Sequence, residues 1–234
     1  MQSRRERQRE ATFQEIKELA RRQMYEGGGI GAVTLRGIAT TMGITAPAIY
    51  RYFSSRDDLV TALIVDAYGS LGDAIEAATQ STPDLGNRFY LAALAYRDWA
   101  LANSGDFDLI FGQPLPGYKA PAELTIPLVQ RAFAPFLMTL QQASNAGQLK
   151  LPPAYHAPPE GLKVNLSEWL RNSGTAMSLP VLYFGLAKWG QIHGIIALEL
   201  NGQYGPLTGP GTVDLYKAEI RESLEAVGLP VTLQ

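Results

Sequence analysis

The chain has 234 residues, 46% of them hydrophobic and 18% charged, with no cysteine and a formal net charge of −2. That much apolar material excludes a disordered chain and suffices for one large core or two modest ones. The missing cysteines exclude disulfides, thiolate zinc sites and cysteine nucleophiles. With no apolar run of spanning length and a charged N-terminus, the expectation is a soluble cytoplasmic protein with no membrane partner.

Charge is unevenly spread. Residues 1–60 carry ten Lys/Arg against seven Asp/Glu, and the remainder carries ten against fifteen. A basic head on an acidic body is the distribution expected if only the head meets phosphates. The first ten residues, MQSRRERQRE, read as a polar arm with four arginines. Such an arm is either a solvated terminus or a reach along a DNA backbone or into a minor groove. From Thr12 an apolar stripe of Phe13, Ile16, Leu19, Ala20 and Met24 predicts a helix, ended by the run Gly27-Gly28-Gly29-Ile30-Gly31. No Gly-Lys-Ser/Thr follows that run, so it reads as a connection and not a phosphate loop.

Residues 34–59, TLRGIATTMGITAPAIYRYFSSRDDL, carry the strongest pattern. Leu35, Ile38 and Ala39 share one helical face behind Thr34, and Gly43 supplies the left-handed turn that ends the helix. Thr45 caps a second short helix with Pro47 in its first turn, where a missing N–H does no harm. Ile49 and Phe53 point inward at i, i+4, which leaves Thr45, Ala46, Ala48, Tyr50 and Arg51 largely outward. Two helices joined in this way form a helix-turn-helix, and the small, polar outer face of the second suits a major groove. A further helix starts near Arg56, with Asp57 and Asp58 in its first turn, and runs past Gly69.

This segment resembles the DNA-binding domain of TetR-family transcriptional regulators. The resemblance rests on Ile38-Ala39, Gly43-Ile44-Thr45, Ile49-Tyr50-Arg51-Tyr52-Phe53, Arg56 and Asp58-Leu59, and covers about the first quarter of the chain. Tyr52 stands where histidine is commoner and Arg56 where lysine is commoner; both keep a hydrogen-bond donor. The resemblance implies a sequence-specific regulator, usually a repressor released from a palindromic operator by a small molecule. In that role Thr34, Thr45, Tyr50, Tyr52 and Arg56 would hold phosphates, while Arg36, Ala46, Pro47, Ala48 and Arg51 would meet bases. Tyr50 has core packing as its plainer alternative.

The rest of the chain stays helical. Leu85–Asn103 carries Phe89, Leu91, Ala92, Ala95, Tyr96 and Trp99, residues 105–120 read as a loop, and 121–146 read as a helix broken or kinked by Pro127 and Pro135. Residues 147–162 are a Pro/Gly-rich connection, the stretch around Trp169 is ambiguous and bounded by Gly174, Leu179–Leu200 is a long apolar helix, and 212–227 form a last amphipathic helix. The class is all-α: a three-helix helix-turn-helix domain over 1–66, joined to a larger helical effector-binding and dimerisation domain over 67–234.

Gly185, Gly190 and Gly194 weaken a helix interior by roughly 1 kcal/mol each relative to alanine, which close approach of another helix would offset. A homodimer interface is therefore expected at Gly190, Gly194 and Leu198, with Leu215, Ile220 and Leu224 from the last helix. In this the chain resembles TetR-family dimers, which pair through their last two long helices. Trp189, His193 and Gly194 resemble the tryptophan–histidine–glycine signature of one subgroup of TetR-like effector domains. Tyr96, Trp99, Phe107, Phe111, Trp169, Tyr183, Trp189 and His193 are the candidate lining for a small-molecule effector of unknown identity. The plainer alternative is core packing for Trp189 and a fixed hydrogen bond for His193. With only His156 and His193 and no HxxxH, no metal and no cofactor are expected.

Two other functions compete. A regulator governed by a protein partner would have the same head. An enzyme would need a nucleophile elbow, metal spacing, a dinucleotide fingerprint or a P-loop, none of which is in the sequence. Asp106 and Asp108 read as solvated loop acids.

Overall fold

The computed structural model describes residues 3–233, so the first two residues of the predicted arm lie outside the described residues. The described residues form helices and connections, with no strand: α1 (Arg4–Glu26), α2 (Leu35–Thr41), α3 (Ala46–Ile49), α4 (Arg56–Thr79), α5 (Leu85–Ala102), α6 (Ser104–Phe111), α7 (Ala122–Asn145), α8 (Glu160–Ser173), α9 (Leu179–Leu200), α10 (Gly205–Thr208) and α11 (Thr212–Glu225). The predicted arm is helical from Arg4. Ser3 and Glu6 close a capping box: Glu6 N–H donates to Ser3 Oγ at 3.2 Å, and Ser3 N–H donates to the Glu6 carboxylate at 2.7 Å.

Two compact units emerge. One comprises residues up to Ser70 together with Asn103–Val129, the other Leu71–Ala102 together with Gln130 onward. This division differs from a single cut after residue 66. Residues 104–111, expected as loop, fold as α6 and belong with the head. Gly105 does not prevent the helix; it lets α6 approach Met24 of α1. Asp106, expected to be solvated, is buried and accepts from Arg21 Nε at 3.1 Å, while Arg21 Nη2 and Lys17 Nζ reach Asp66 at 3.3 and 2.8 Å. Burial pushes the Asp106 carboxyl upward and the Arg21 guanidinium pulls it back.

The core of the first unit joins Ile16, Ala20 and Met24 of α1, Leu35 and Ile38 of α2, Ile49 of α3, Phe53, and Leu59 and Leu63 of α4. Each such large side chain contributes about 1.5–3 kcal/mol by leaving water. The predicted stripe of α1 and the inward pair Ile49/Phe53 therefore hold the three helices of the head together.

In the second unit α5, α7, α9 and α11 share a core containing Tyr96, Leu140, Ile196 and Tyr216. Tyr216 O–H donates to the Ala93 carbonyl at 2.7 Å. Arg97 Nε donates to Glu199 at 2.8 Å, so the buried guanidinium is paired. α7 runs on through Pro127 and Pro135, so neither proline breaks the helix. The ambiguous stretch around Trp169 is α8, ended by Gly174 in the left-handed conformation at φ +65°. α9 has the predicted bounds. A Cβ on its Gly185 would lie 2.5 Å from Leu137 Cδ2, so close approach of α7 explains that glycine. Around Gly190 and Gly194 nothing lies within 4 Å of where a Cβ would stand.

Candidate nucleic-acid interface

Local chemistry builds the reading head residue by residue. Thr34 precedes α2 in extended conformation; its Oγ accepts from Gly37 N–H at 3.2 Å and its own N–H donates to Gln23 Oε1 of α1 at 3.0 Å. Gln23, which the sequence did not single out, thereby sets how α2 leaves α1. Gly43 takes φ +66°, and Ile44 N–H then reaches back to the Ala39 carbonyl at 3.0 Å. Thr45 sits at the N-cap of α3 with Pro47 in the first turn, yet its hydroxyl makes no capping bond and stays exposed.

α3 is one turn long. After Ile49 the chain tightens, with Tyr52 N–H donating to the Ile49 carbonyl at 2.9 Å. Ile49 and Phe53 are buried, which turns the other face outward. Thr45, Pro47, Tyr50 and Arg51 are exposed, Ala46 and Ala48 half-buried, and Arg36 is exposed on α2. Tyr50 is 48% exposed, so its ring is not core. Tyr52 is half-buried and packs edge-on against Phe13 at 5.2 Å.

Arg56, expected to hold a phosphate, donates from Nε to the Val33 carbonyl at 2.8 Å and from Nη2 to the Ile30 carbonyl at 2.7 Å. Two of its guanidinium nitrogens close the glycine-rich connection against the start of α4.

The aromatic candidates do not form one group. Phe107 and Phe111 belong to the first unit, where Phe111 meets Tyr68 edge-on, whereas Tyr96, Trp99, Trp169, Tyr183, Trp189 and His193 belong to the second. Trp169 is 38% exposed on α8, and Tyr183 packs on Tyr155. Trp99 is buried. The remaining three converge. Tyr96 O–H and His193 Nδ1 are 2.7 Å apart, Trp189 lies 5.3 Å from the imidazole, and Phe133 of α7 meets Trp189 edge-on at 5.5 Å. Trp189 Nε1 is buried without a hydrogen-bond partner. Phe133 was missed by the sequence reading, although its neighbours Ala132, Phe136, Leu140 and Ala143 form a helical stripe that marks the inward side of α7.

Burial holds the His193 pKa below its ordinary value. An unfolded chain would therefore bind this proton at a higher pH than the native one does. Stability should fall as pH drops below about 6.5, the usual imidazole value, because protons then favour the unfolded state. Urea midpoints measured at pH 7.5 and 5.5 should differ by less in His193→Gln than in the wild type. An equal difference would show that other groups carry the pH dependence.

The predicted dimer residues also divide. Gly190 is exposed, Gly194 half-buried and Leu198 37% exposed, all on one side of α9. Leu215 is half-buried. Ile220 and Leu224 are each 3% exposed and are buried with Tyr216 in the chain's own core, which leaves Leu215 as the partly accessible one of the three on α11.

Residues 16–63 match the family described as "Bacterial regulatory proteins, tetR family", and residues 89–222 match "Tetracyclin repressor-like, C-terminal domain". The chain is 34% identical to the HTH-type transcriptional regulator Mb1846 of Mycobacterium bovis over 209 residues, 88% of each protein. The crystal structure of the regulatory protein SCO4313 is 34% identical, with a TM-score of 0.73, over 95% of this chain and all of that one. RolR, solved with its ligand resorcinol, shares the fold at 17% identity and a TM-score of 0.52, over 95% of this chain and 90% of that one. No described helix is long and apolar enough to cross a membrane. A helix-turn-helix with an outward α3, followed by a helical domain that matches the family's own, places the chain in the TetR family of DNA-binding transcriptional regulators.

Proposed function

We propose that the chain is a repressor that binds a palindromic operator as a homodimer and leaves it when a small molecule enters the second unit. The single observation that carries the DNA half is the outward face of Thr45, Pro47, Tyr50 and Arg51 beside Arg36. Arg36 and Arg51 supply guanidinium groups for guanine edges, Pro47 and the two alanines of α3 supply apolar contacts for thymine methyls, and Thr34, Thr45, Tyr50 and Tyr52 supply hydroxyls for phosphates. TetR regulators act as homodimers, and the open space beside Gly190 and Gly194, with Leu198 exposed next to it, supports this side of α9 as the contact with a second copy. Two heads about 34 Å apart would read adjacent half-sites.

The effector half rests on Trp189. A buried indole N–H with no acceptor, beside Phe133 and His193, would suit an aromatic or apolar molecule bearing an acceptor oxygen. α4, continuous from Arg56 to Thr79, supplies residues to both units and is the element through which binding would alter the heads. Coupling of about 1–3 kcal/mol would change operator affinity by roughly 5- to 150-fold.

Selection of bound DNA from a random pool tests the first half, with a palindrome of two half-sites as the expected outcome. Enrichment of a lone half-site would sink the dimeric reading. Thermal-shift screening of small aromatic compounds tests the second half: a stabilising compound should also weaken binding to the selected duplex, and stabilisation without that loss would remove the regulatory claim.

A further inference from the structure

Five residues of the first unit, Arg4, Arg5 and Arg9 from the start of α1 with Arg51 and Tyr52 after α3, line an open groove of about 910 Å³. We propose that this groove holds the phosphodiester backbone of DNA, so that the contact surface extends past the helix-turn-helix onto α1. The inference rests on the DNA-binding reading and adds a second, sequence-independent set of contacts to it.

Charge is the first argument. Among the described residues none of the four arginines forms an ion pair, and the one carboxylate on the groove, Glu6, is committed to the Ser3 N–H. Four unpaired cations brought together repel one another, and a polyanion relieves that repulsion. Position is the second argument. Arg4 and Arg5 stand in the first turn of α1, at the positive end of the helix dipole, where folding by itself favours acids. The capping box serves the Ser3 and Glu6 amides, and the donors that line the groove are the guanidinium groups. Arrangement is the third. The Arg9 guanidinium lies 5.5 Å above the Phe13 ring, and Phe13 is itself held edge-on by Tyr52 and Phe53. One aromatic cluster thus ties α1's arginine to the end of the reading element. Arg51 and Tyr52 border both this groove and the outward face of α3, so one duplex can meet the two together.

Guanidinium and hydroxyl donors on an open surface suit phosphate oxygens more than base edges, which predicts binding blind to sequence. The test uses the full chain and two fluorescent duplexes of 40 base pairs, one random and one carrying the selected operator, titrated from 50 to 300 mM salt. Removing one phosphate-bound cation should lower the salt slope by about 0.9. The triple variant R4Q/R5Q/R9Q should lower it by about 2–3 on both duplexes and weaken binding by roughly 10- to 100-fold at 150 mM salt. R4K/R5K/R9K should restore the slope, because the charge returns. An unchanged slope in the glutamine variant, with the wild type still binding, overturns this proposal and leaves the helix-turn-helix reading intact. A loss that follows A·T content in the flanking sequence also overturns it, because the arginines would then be reading the minor groove. Failure of the wild type to bind either duplex would bring down both.

Discussion

Arg56→Ala should lower the unfolding free energy by about 2–3 kcal/mol, because two charge-assisted hydrogen bonds disappear and two carbonyls are left behind. Those carbonyls belong to Ile30 and Val33, and Val33 is wholly buried. The segment they close, Gly27–Val33, includes Gly28 and Gly29 at positive φ and has little regular structure of its own. Without the guanidinium fork, α1 and α4 lose the tie that positions the base of α2. Arg56→Lys should recover part of the loss, since an ammonium can serve one carbonyl but not both in one plane. Urea melts of the full chain should rank wild type above the lysine variant and the lysine variant above alanine. DNA binding by whatever remains folded should keep the wild-type salt slope. A fully stable alanine variant with a slope shallower by about 0.9 would return Arg56 to the phosphate role.

The reasons why some features were legible in the sequence, and others not, are physical. Gly43, Thr45, Pro47 and the Ile49/Phe53 pair act over fewer than ten residues, so turn chemistry and helical period suffice to place them. The bounds of α9 were equally local: Ser178 with Pro180 opens it and Asn201 closes it. Arg56 escaped because its acceptors lie 23 and 26 residues away, and nothing in its neighbourhood announces a carbonyl partner. α6 escaped because Gly105 and Asp106 read as loop formers, whereas Arg21, 85 residues distant, offsets the burial of that acid. Pro127 and Pro135 carry a local rule that tertiary packing of α7 overrode, with Ala132, Phe136, Leu140 and Ala143 buried on its inner side. The stripe of α11 was read correctly as a stripe. Whether it meets its own chain or a partner's depends on Tyr216 reaching the Ala93 carbonyl, 123 residues away. Phe107 and Phe111 were grouped with Trp189 on residue type, and type says nothing about which unit a residue joins.

Gly190 and Gly194 give the second large effect, and its sign separates two kinds of glycine on one helix. Gly185 cannot accept a Cβ without displacing Leu137, so Gly185→Ala should destabilise the subunit. Gly190 and Gly194 have open space, so Gly190→Ala and Gly194→Ala should raise the stability of an isolated subunit by about 0.5–1 kcal/mol each, from helix propensity. If a second α9 lies against that space, any side chain there holds the two helices apart. Gly190→Glu/Gly194→Glu would add four carboxylates, two from each subunit, at a single close crossing, where burial and repulsion both oppose association. Sedimentation should then show a folded monomer. Operator affinity should fall by about 10²- to 10⁴-fold, since the second head no longer binds at the effective concentration a dimer provides. Circular dichroism melts of the same variant should show no loss of helix. A glutamate variant that remains dimeric would move the interface off this face of α9, and with it the explanation for why a buried-core helix keeps two glycines that its own subunit does not need.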